Sequence, residues 1–414
     1  MLTKTLASYK QLEKHVLYLI AAEGFIQFSN ASFFLLLNFY LLQESFNDVE
    51  IANFIRSRFL GVLLLAFPLG LYLKGRKLKG FFQLGAIATP LAGIFLVLSI
   101  ASHQSFLIHL CMSLWGISFI IFHIPGIPFI MQNASEENQT KAIALYFQSF
   151  SLSIFISGLI AYFLRCNSLI NIHLKSVLLF FSALGFLAIF FIQKIKIAEQ
   201  KIEKQNILQN LKEYDYQRIS KALLPAFLIA LGAGLTIPFI NLFFKSVHGF
   251  TDCSFSLLGS LTFGLVALSV IFIPELKKKF GYNIMVTGMQ MLAVFLLVAL
   301  AFTEWFAEYR WISYLAAFFY VLRQPLMNAA GPLTSELSMN YVGKKNQELI
   351  SALHSSIWSG TWVISSSIFG FLRARGIAYI YILLLTAAIY VVGVFFYQML
   401  IRSYQKNKIN EELG

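Results

Sequence analysis

Lys194–Lys221 reads KIKIAEQKIEKQNILQNLKEYDYQRISK, and it is the longest polar run in a chain of 414 residues that is apolar almost everywhere else. A helix rises about 1.5 Å per residue, so about 20 apolar residues cross a hydrocarbon core of about 30 Å. Runs of that kind lie on both sides of the polar stretch. Before it come Val16–Leu42, Val49–Leu73, Phe81–Ala101, Phe106–Gln132, Ala142–Leu164 and Leu174–Gln193. After it come Ala222–Val247, Ser256–Pro274, Asn283–Thr303, Trp311–Leu337, Glu348–Leu372 and Ile377–Ile401. The polar stretch therefore separates six expected spans from six more. Within it, Ile195, Ala198 and Ile202 fall at i, i+3 and i+7, with Leu208 beyond, so part of it reads as an amphipathic helix on the inner leaflet.

The composition agrees. The chain is 58% hydrophobic and 12% charged, where a soluble domain carries about 25% charge. Its mean hydropathy is +0.72. That much apolar surface needs lipid as its solvent. The formal charge of +13 would point to nucleic acid in a soluble protein. Here the basic residues sit in loops and orient the chain, so no nucleic-acid partner is expected. With the N-terminus inside, the inner loops hold Lys4, Lys10, Lys14, Lys74, Arg76, Lys77, Lys79, Lys141, the central lysines, Lys277, Lys278, Lys279, Lys344 and Lys345, and the tail adds Arg402, Lys406 and Lys408. The outer loops hold Arg165, Lys175, Lys245, Arg310, Arg373 and Arg375. That is a bias of roughly four to one, and a missed or invented span would invert it downstream. Both termini are expected in the cytoplasm and the chain in a bacterial plasma (inner) membrane. The opening MLTKTLASYKQLEKH is polar and basic, and the apolar run after it is too long for a signal-peptide core. It reads as a retained first helix. The sequons at Asn133 and Asn138 fall in an expected inner loop and would stay unused.

The expected fold is an all-α membrane protein of about twelve transmembrane helices in two six-helix pseudo-repeats: residues 1–193, a cytoplasmic central loop at 194–221, and residues 222–414. The halves echo each other at an offset of about 200 residues, as duplicated six-helix halves do. Leu19-Ile-Ala-Ala22 opens the first span and Leu228-Ile-Ala-Leu231 lies in the seventh. Phe67-Pro68 and Ile273-Pro274 each precede a basic loop. Pro128 and Pro332 are each followed by an acid, Glu136 or Glu336, and then by lysine.

With these features the chain resembles the major facilitator superfamily over nearly its whole length. The loop after span two, Gly70-Leu-Tyr-Leu-Lys-Gly-Arg-Lys77, keeps the glycine and basic residues of that family's GxLaDrxGrk-like motif, while Lys74 stands near the place of its aspartate. IPELKKKFGYN, from Ile273, and LGAGLTIPFINLFF, from Leu231, also look like this family. The resemblance implies transport by alternating access, with the first span lining a central cavity. It also implies that spans five and eight meet near the outer loops that hold Cys166 and Cys253.

Several polar residues fall inside the expected spans, where charge costs several kcal/mol without a partner or a wet cavity. Glu23, Gln27 and Asn30 lie at i, i+4 and i+7 and share a face, which reads as a cavity face or as an interhelical hydrogen-bonded one. Arg323 is the deepest ionisable group, beside Gln324, Pro325 and Asn328, and it suits an anionic or strongly polar solute or a structural ion pair. Arg56 and Arg58 point to different faces, so one is expected to snorkel and Arg58 to face inward. By helix rise Glu23 and Arg58 are about 10 Å apart and are not expected to pair directly. His354 and Trp358 share a face with Ser365, and the imidazole is a proton-carrier candidate. Asn241, after Pro238, is a candidate cavity donor. His109 and His123 carry weaker signals.

These residues favour a secondary active or facilitative transporter of a small polar, in one reading anionic, solute. The partners are then that solute, the bilayer and, as a candidate, protons, and the chain is expected to work as a monomer. The alternative is a proton-coupled multidrug efflux antiporter, which an acid in span one would suit. Span five, SLSIFISGLIAYFL, lacks the GPxxGG-like motif of such antiporters and has Gly158 alone. An enzyme is not expected: there is no Walker A pattern, and Glu136, Glu137 and Glu336 have no clustered His, Asp or Cys. Cys111, Cys166 and Cys253 form no CxxC or zinc spacing. No metal, cofactor or disulfide is expected, and reduced and oxidised protein should transport alike.

Overall fold

The computed structural model describes residues 12–73, 76–166, 172–196, 215–343 and 347–413. Every regular element among them is helical. In chain order these are α1 (Lys14–Gln43), α2 (Asp48–Leu73), α3 (Lys79–Ala101), α4 (Ser105–His123), α5 (Gly126–Asn133), α6 (Glu136–Cys166), α7 (Leu174–Leu184) and α8 (Leu187–Gln193). There follow α9 (Tyr216–Thr236), α10 (Ile240–His248), α11 (Asp252–Tyr282), α12 (Met289–Phe302), α13 (Arg310–Val342), α14 (Gln347–Ala374) and α15 (Tyr379–Leu413). Lys74, Ala198, Lys201, Ile202, Lys204, Leu208, Lys212, Lys344 and Lys345, and so most of the expected amphipathic stretch, lie outside the described residues.

The helices match the expected spans, with breaks where the backbone ladder loses a donor. Pro125 precedes α5, and Pro238 sits in the 3-10 turn Ile237–Phe239 between α9 and α10. Proline has no N–H to give to the turn before it. A π-helical turn, Asn283–Gly288, leads into α12 after a bend at Gly281. Among the described residues, ten helical stretches are long and apolar enough to cross a membrane. The other two long helices, α13 and α14, are interrupted by polar side chains, and they are the ones that carry Arg323 and His354.

Lipid as the outer solvent is written on α3. Leu84, Ile87, Leu91, Phe95 and Leu98 recur at helical spacing and are all exposed. In water such a stripe would be a liability, but against acyl chains it costs nothing. The opposite face buries small residues, Gly85, Ala86, Thr89, Ala92 and Gly93.

The chain is an all-α membrane protein with the twelve-helix, two-repeat architecture. It divides into two compact units, one drawn from Met1–Phe46, Ser57–Gln205 and Asp252–Ser260, the other from Asn47–Arg56, Asn206–Thr251 and Leu261–Gly414. In the first, α1 is the central helix and packs on α6, α7, α8, α3, α5 and α4. In the second, α9 packs on α15 and α14, and α12 on α13 and α15.

The first unit also corrects an expectation. Cys166, the last residue of α6, is joined to Cys253 at the start of α11 by a disulfide. One residue earlier on each helix, Arg165 Nε meets Asp252 Oδ2 at 2.7 Å. Sequence spacing alone carries no sign of this bond, because the partners are 87 residues apart and come together only through helix packing. In the second unit, Asp48 Oδ2 accepts from Arg373 Nε at 2.9 Å and from Tyr379 Oη at 2.5 Å.

Candidate functional site

The polar stripe of α1 is the strongest polar feature of the first unit. Glu23 is fully buried, and Gln27 and Asn30 nearly so. In this structure the stripe is a buried, hydrogen-bonded face, one of the two readings that its spacing left open. Gln27 Nε2 donates to Glu23 Oε1 at 2.7 Å, and Asn30 Nδ2 donates to Gln27 Oε1 at 3.0 Å. From α2, Arg58 Nη2 donates to Asn30 Oδ1 at 2.7 Å. Glu23 and Arg58 do not touch, as their difference in depth by helix rise implied. Two amides join them.

Close helix approach sets the Arg58 end. A Cβ on Gly116 would stand 2.6 Å from the Arg58 carbonyl oxygen, so only glycine lets α4 cross α2 there. Trp115, beside it, then lies with its ring 3.7 Å from Arg58 Cζ, a distance at which the ring's negative face attracts the guanidinium. Arg58 Nε is buried and has no hydrogen-bond partner. Arg56 is exposed.

The Glu23 end gathers two residues that the sequence did not single out for this site. His123 Nδ1, from the last residue of α4, lies 2.7 Å from Glu23 Oε1. Tyr146 Oη, from α6, lies 3.2 Å from Glu23 Oε2 and 2.9 Å from the His123 carbonyl oxygen. A carboxylate only accepts, so His123 Nδ1 carries the proton of that hydrogen bond. The imidazole is held between Phe119 and Tyr146, with ring centroids 5.2 Å and 5.3 Å away. Its side chain is 29% exposed while the Glu23 side chain is wholly buried, so the imidazole is the exposed end of the pair. The one local signal for this pair was a histidine at the end of an apolar run, just before Pro125-Gly126. Its partner lies 100 positions earlier.

In the second unit, Arg323 is buried to 2% exposure. Its Nη1 donates to Gln324 Oε1 at 3.3 Å, and Gln324 Nε2 donates to Tyr320 Oη at 3.2 Å. Its Cζ lies 5.8 Å from the Tyr390 ring centre. Arg323 Nε and Tyr390 Oη are both buried without a hydrogen-bond partner. Among the described residues no carboxylate pairs with Arg323. Asn328 is exposed, and its amide turns back to the Gln324 carbonyl at 2.9 Å.

The remaining candidates stand apart from these two groups. Asn241 is buried and its Oδ1 accepts from the Leu242 N–H at 2.9 Å. His354 and Trp358 lie with ring centres 6.3 Å apart, and Trp362 is 6.1 Å beyond Trp358. Ser365, on the same helix, donates to the Leu231 carbonyl of α9 at 2.7 Å, which is a helix-packing role.

The family model described as Major Facilitator Superfamily matches residues 19–366. No curated protein sequence matches the chain. Among solved structures, a bacterial homolog of the human lysosomal transporter Spinster, inward-facing and unoccupied, is similar with a TM-score of 0.71 at 13% identity, covering 95% of this chain and 97% of that one. The nucleoside transporter NupG is similar with a TM-score of 0.68 at 14% identity, covering 93% and 99%. A D-xylose–proton symporter is similar with a TM-score of 0.69 at 12% identity, covering 92% and 96%. At such identities the likeness shows the fold.

Proposed function

The chain belongs to the major facilitator superfamily, and from that premise we propose that it moves a small polar solute across the membrane by alternating access, driven by protons that load and leave Glu23. The observation that carries this reading is the wholly buried Glu23 carboxylate in contact with the partly exposed His123 imidazole, 2.7 Å away. A carboxylate inside a membrane span costs several kcal/mol unless donors hold it. Glu23 accepts from Gln27 and His123 and shares the Tyr146 hydroxyl with the His123 carbonyl, and an imidazole is a side chain able to take up and release protons. A neighbour of the same fold described as a D-xylose–proton symporter supports proton coupling as a use of this architecture. The uncompensated Arg323 favours a solute with anionic character.

In this reading the working parts are the halves 1–193 and 222–414, with both termini on the cytoplasmic side of the plasma membrane and a single chain as the transporter. The test is uptake of labelled sugars, nucleosides and carboxylates into proteoliposomes under an imposed pH gradient. The native protein should concentrate one of these classes only with the gradient present. Glu23→Gln should still exchange solute across the membrane but not concentrate it. Gradient-driven accumulation by Glu23→Gln at the native level would overturn the coupling.

A further inference from the structure

The four side chains from Glu23 to Arg58 form a chain with a fixed direction. A guanidinium can only donate and a carboxylate can only accept. Asn30 must therefore present Oδ1 to Arg58, which leaves Nδ2 for Gln27, and Gln27 must present Oε1 to Asn30 and Nε2 to Glu23. The observed bonds of 2.7, 3.0 and 2.7 Å follow that order. The orientation of both amides is thus dictated from the two ends. Among the described residues neither Glu23 nor Arg58 meets an opposite charge, apart from the imidazole on Glu23.

We propose that protonation of Glu23 frees Arg58 as the binding group for an oxyanion, a carboxylate or a tetrahedral oxyanion on the solute, by releasing the direction of this chain. A protonated Glu23 can donate. Gln27 and Asn30 can then both turn over, with Glu23 O–H giving to Gln27 Oε1 and Gln27 Nε2 giving to Asn30 Oδ1. Asn30 then faces Arg58 with Nδ2, donor against donor, an arrangement that a neutral Glu23 permits and that an anion between the two stabilises. The guanidinium loses its acceptor, its Nε already lacks one, and Trp115 holds its plane at 3.7 Å. An anionic oxygen supplies what is missing, and a guanidinium grips oxyanions in a bidentate fork. By linkage, each ligand tightens the other: the proton favours the anion, and the anion favours the proton. This rests on the proton-coupled reading above and gives it a solute class.

The ionisable groups in contact with the Glu23 carboxylate are His123 from α4 and Tyr146 from α6. Among the described residues α3, α5, α7 and α8, which also pack on α1, place none on it. Near Arg58, His109 Nδ1 of α4 lies 2.7 Å from Ser57 Oγ.

The experiment reads binding, so it stands whether or not transport is proton-driven. Full-length protein with Trp305, Trp311, Trp358 and Trp362 replaced by Phe keeps Trp115 as its sole tryptophan, stacked on Arg58. Its fluorescence is titrated with sulfate, and separately with acetate, at pH 5.5 and pH 8. The native chain should bind about tenfold more tightly at pH 5.5. Glu23→Gln and Asn30→Leu should bind tightly at both pH values, His109→Gln should keep the native pH response, and Arg58→Gln should give no saturable response. If Asn30→Leu does not fold, Gln27→Leu cuts the chain at its other amide and carries the same expectation. Equal native affinity at both pH values, or a native pH response surviving in the variant with the chain cut, would overturn the proposal. So would the absence of saturable binding of either anion to the native chain.

Discussion

Tyr146 lays its hydroxyl on Gly126, where a Cβ would stand 2.3 Å from Tyr146 Oη and 2.4 Å from its Cζ. The contact fixes the tyrosine against Glu23 and His123. Gly126→Ala should therefore push the ring off both partners. Overpacking of this kind costs about 1–3 kcal/mol, while Tyr146→Phe removes only the hydroxyl's hydrogen bonding, at about 1 kcal/mol. Thermal unfolding in detergent should rank the native protein first, Tyr146→Phe next and Gly126→Ala last. Native stability in Gly126→Ala would mean that the ring has room to move and that the contact does not position it.

Lys277 Nζ meets both oxygens of Glu336, at 2.6 and 2.7 Å, and so ties α11 to α13 within the second unit. Both side chains are partly exposed, 27% and 46%. A pair of this exposure contributes about 0.2–1 kcal/mol. A double-mutant cycle with Lys277→Ala and Glu336→Ala, read by thermal unfolding, should give a coupling in that range that shrinks as salt rises. Strict additivity of the two single substitutions would remove the pair from the stability of this unit.

The disulfide is open to direct chemistry. Alkylation of the native, non-reduced protein followed by mass spectrometry should label Cys111 alone, since Cys166 and Cys253 are bonded to each other. After reduction all three should be labelled. Alkylation of Cys166 before reduction would show that the bond does not form in the membrane-embedded protein.

The helices were legible because each bilayer crossing writes its own length and apolarity into the sequence. The helix breaks at Pro125 and Pro238 have an equally local cause, although the expected spans ran through both. The site was legible only in part. Glu23, Gln27 and Asn30 announced a shared face by spacing alone, yet spacing cannot say whether that face meets water or another helix. It meets Arg58, His123 and Tyr146, which come from three other helices. Tyr146 has no neighbour in the sequence that sets it apart from other aromatics. What distinguishes it is a hydroxyl pinned over a glycine, and that is a tertiary fact. The Cys166–Cys253 bond was missed for the same reason.

Arg323 separates a structural from a functional reading of buried charge. It is almost wholly buried, its Nε has no partner, and Gln324, which accepts from its Nη1, is neutral. Desolvating a guanidinium costs several kcal/mol, and among the described residues no carboxylate in contact offsets it. If the residue served the fold, its removal would weaken the fold. If it is kept for the solute, a side chain of similar length without the charge should pack at least as well. Arg323→Met is therefore expected to unfold at a temperature equal to or above that of the native protein while losing uptake. Arg323→Lys keeps the charge but not the planar fork, so it should fold normally and transport poorly. Arg323→Ala should also lose uptake. Thermal unfolding and proteoliposome uptake on the same three preparations decide between the two readings. A less stable Arg323→Met would assign the residue to the fold. Near-native uptake by Arg323→Ala would take it out of the solute's path and leave the anionic character of the solute resting on Arg58 alone.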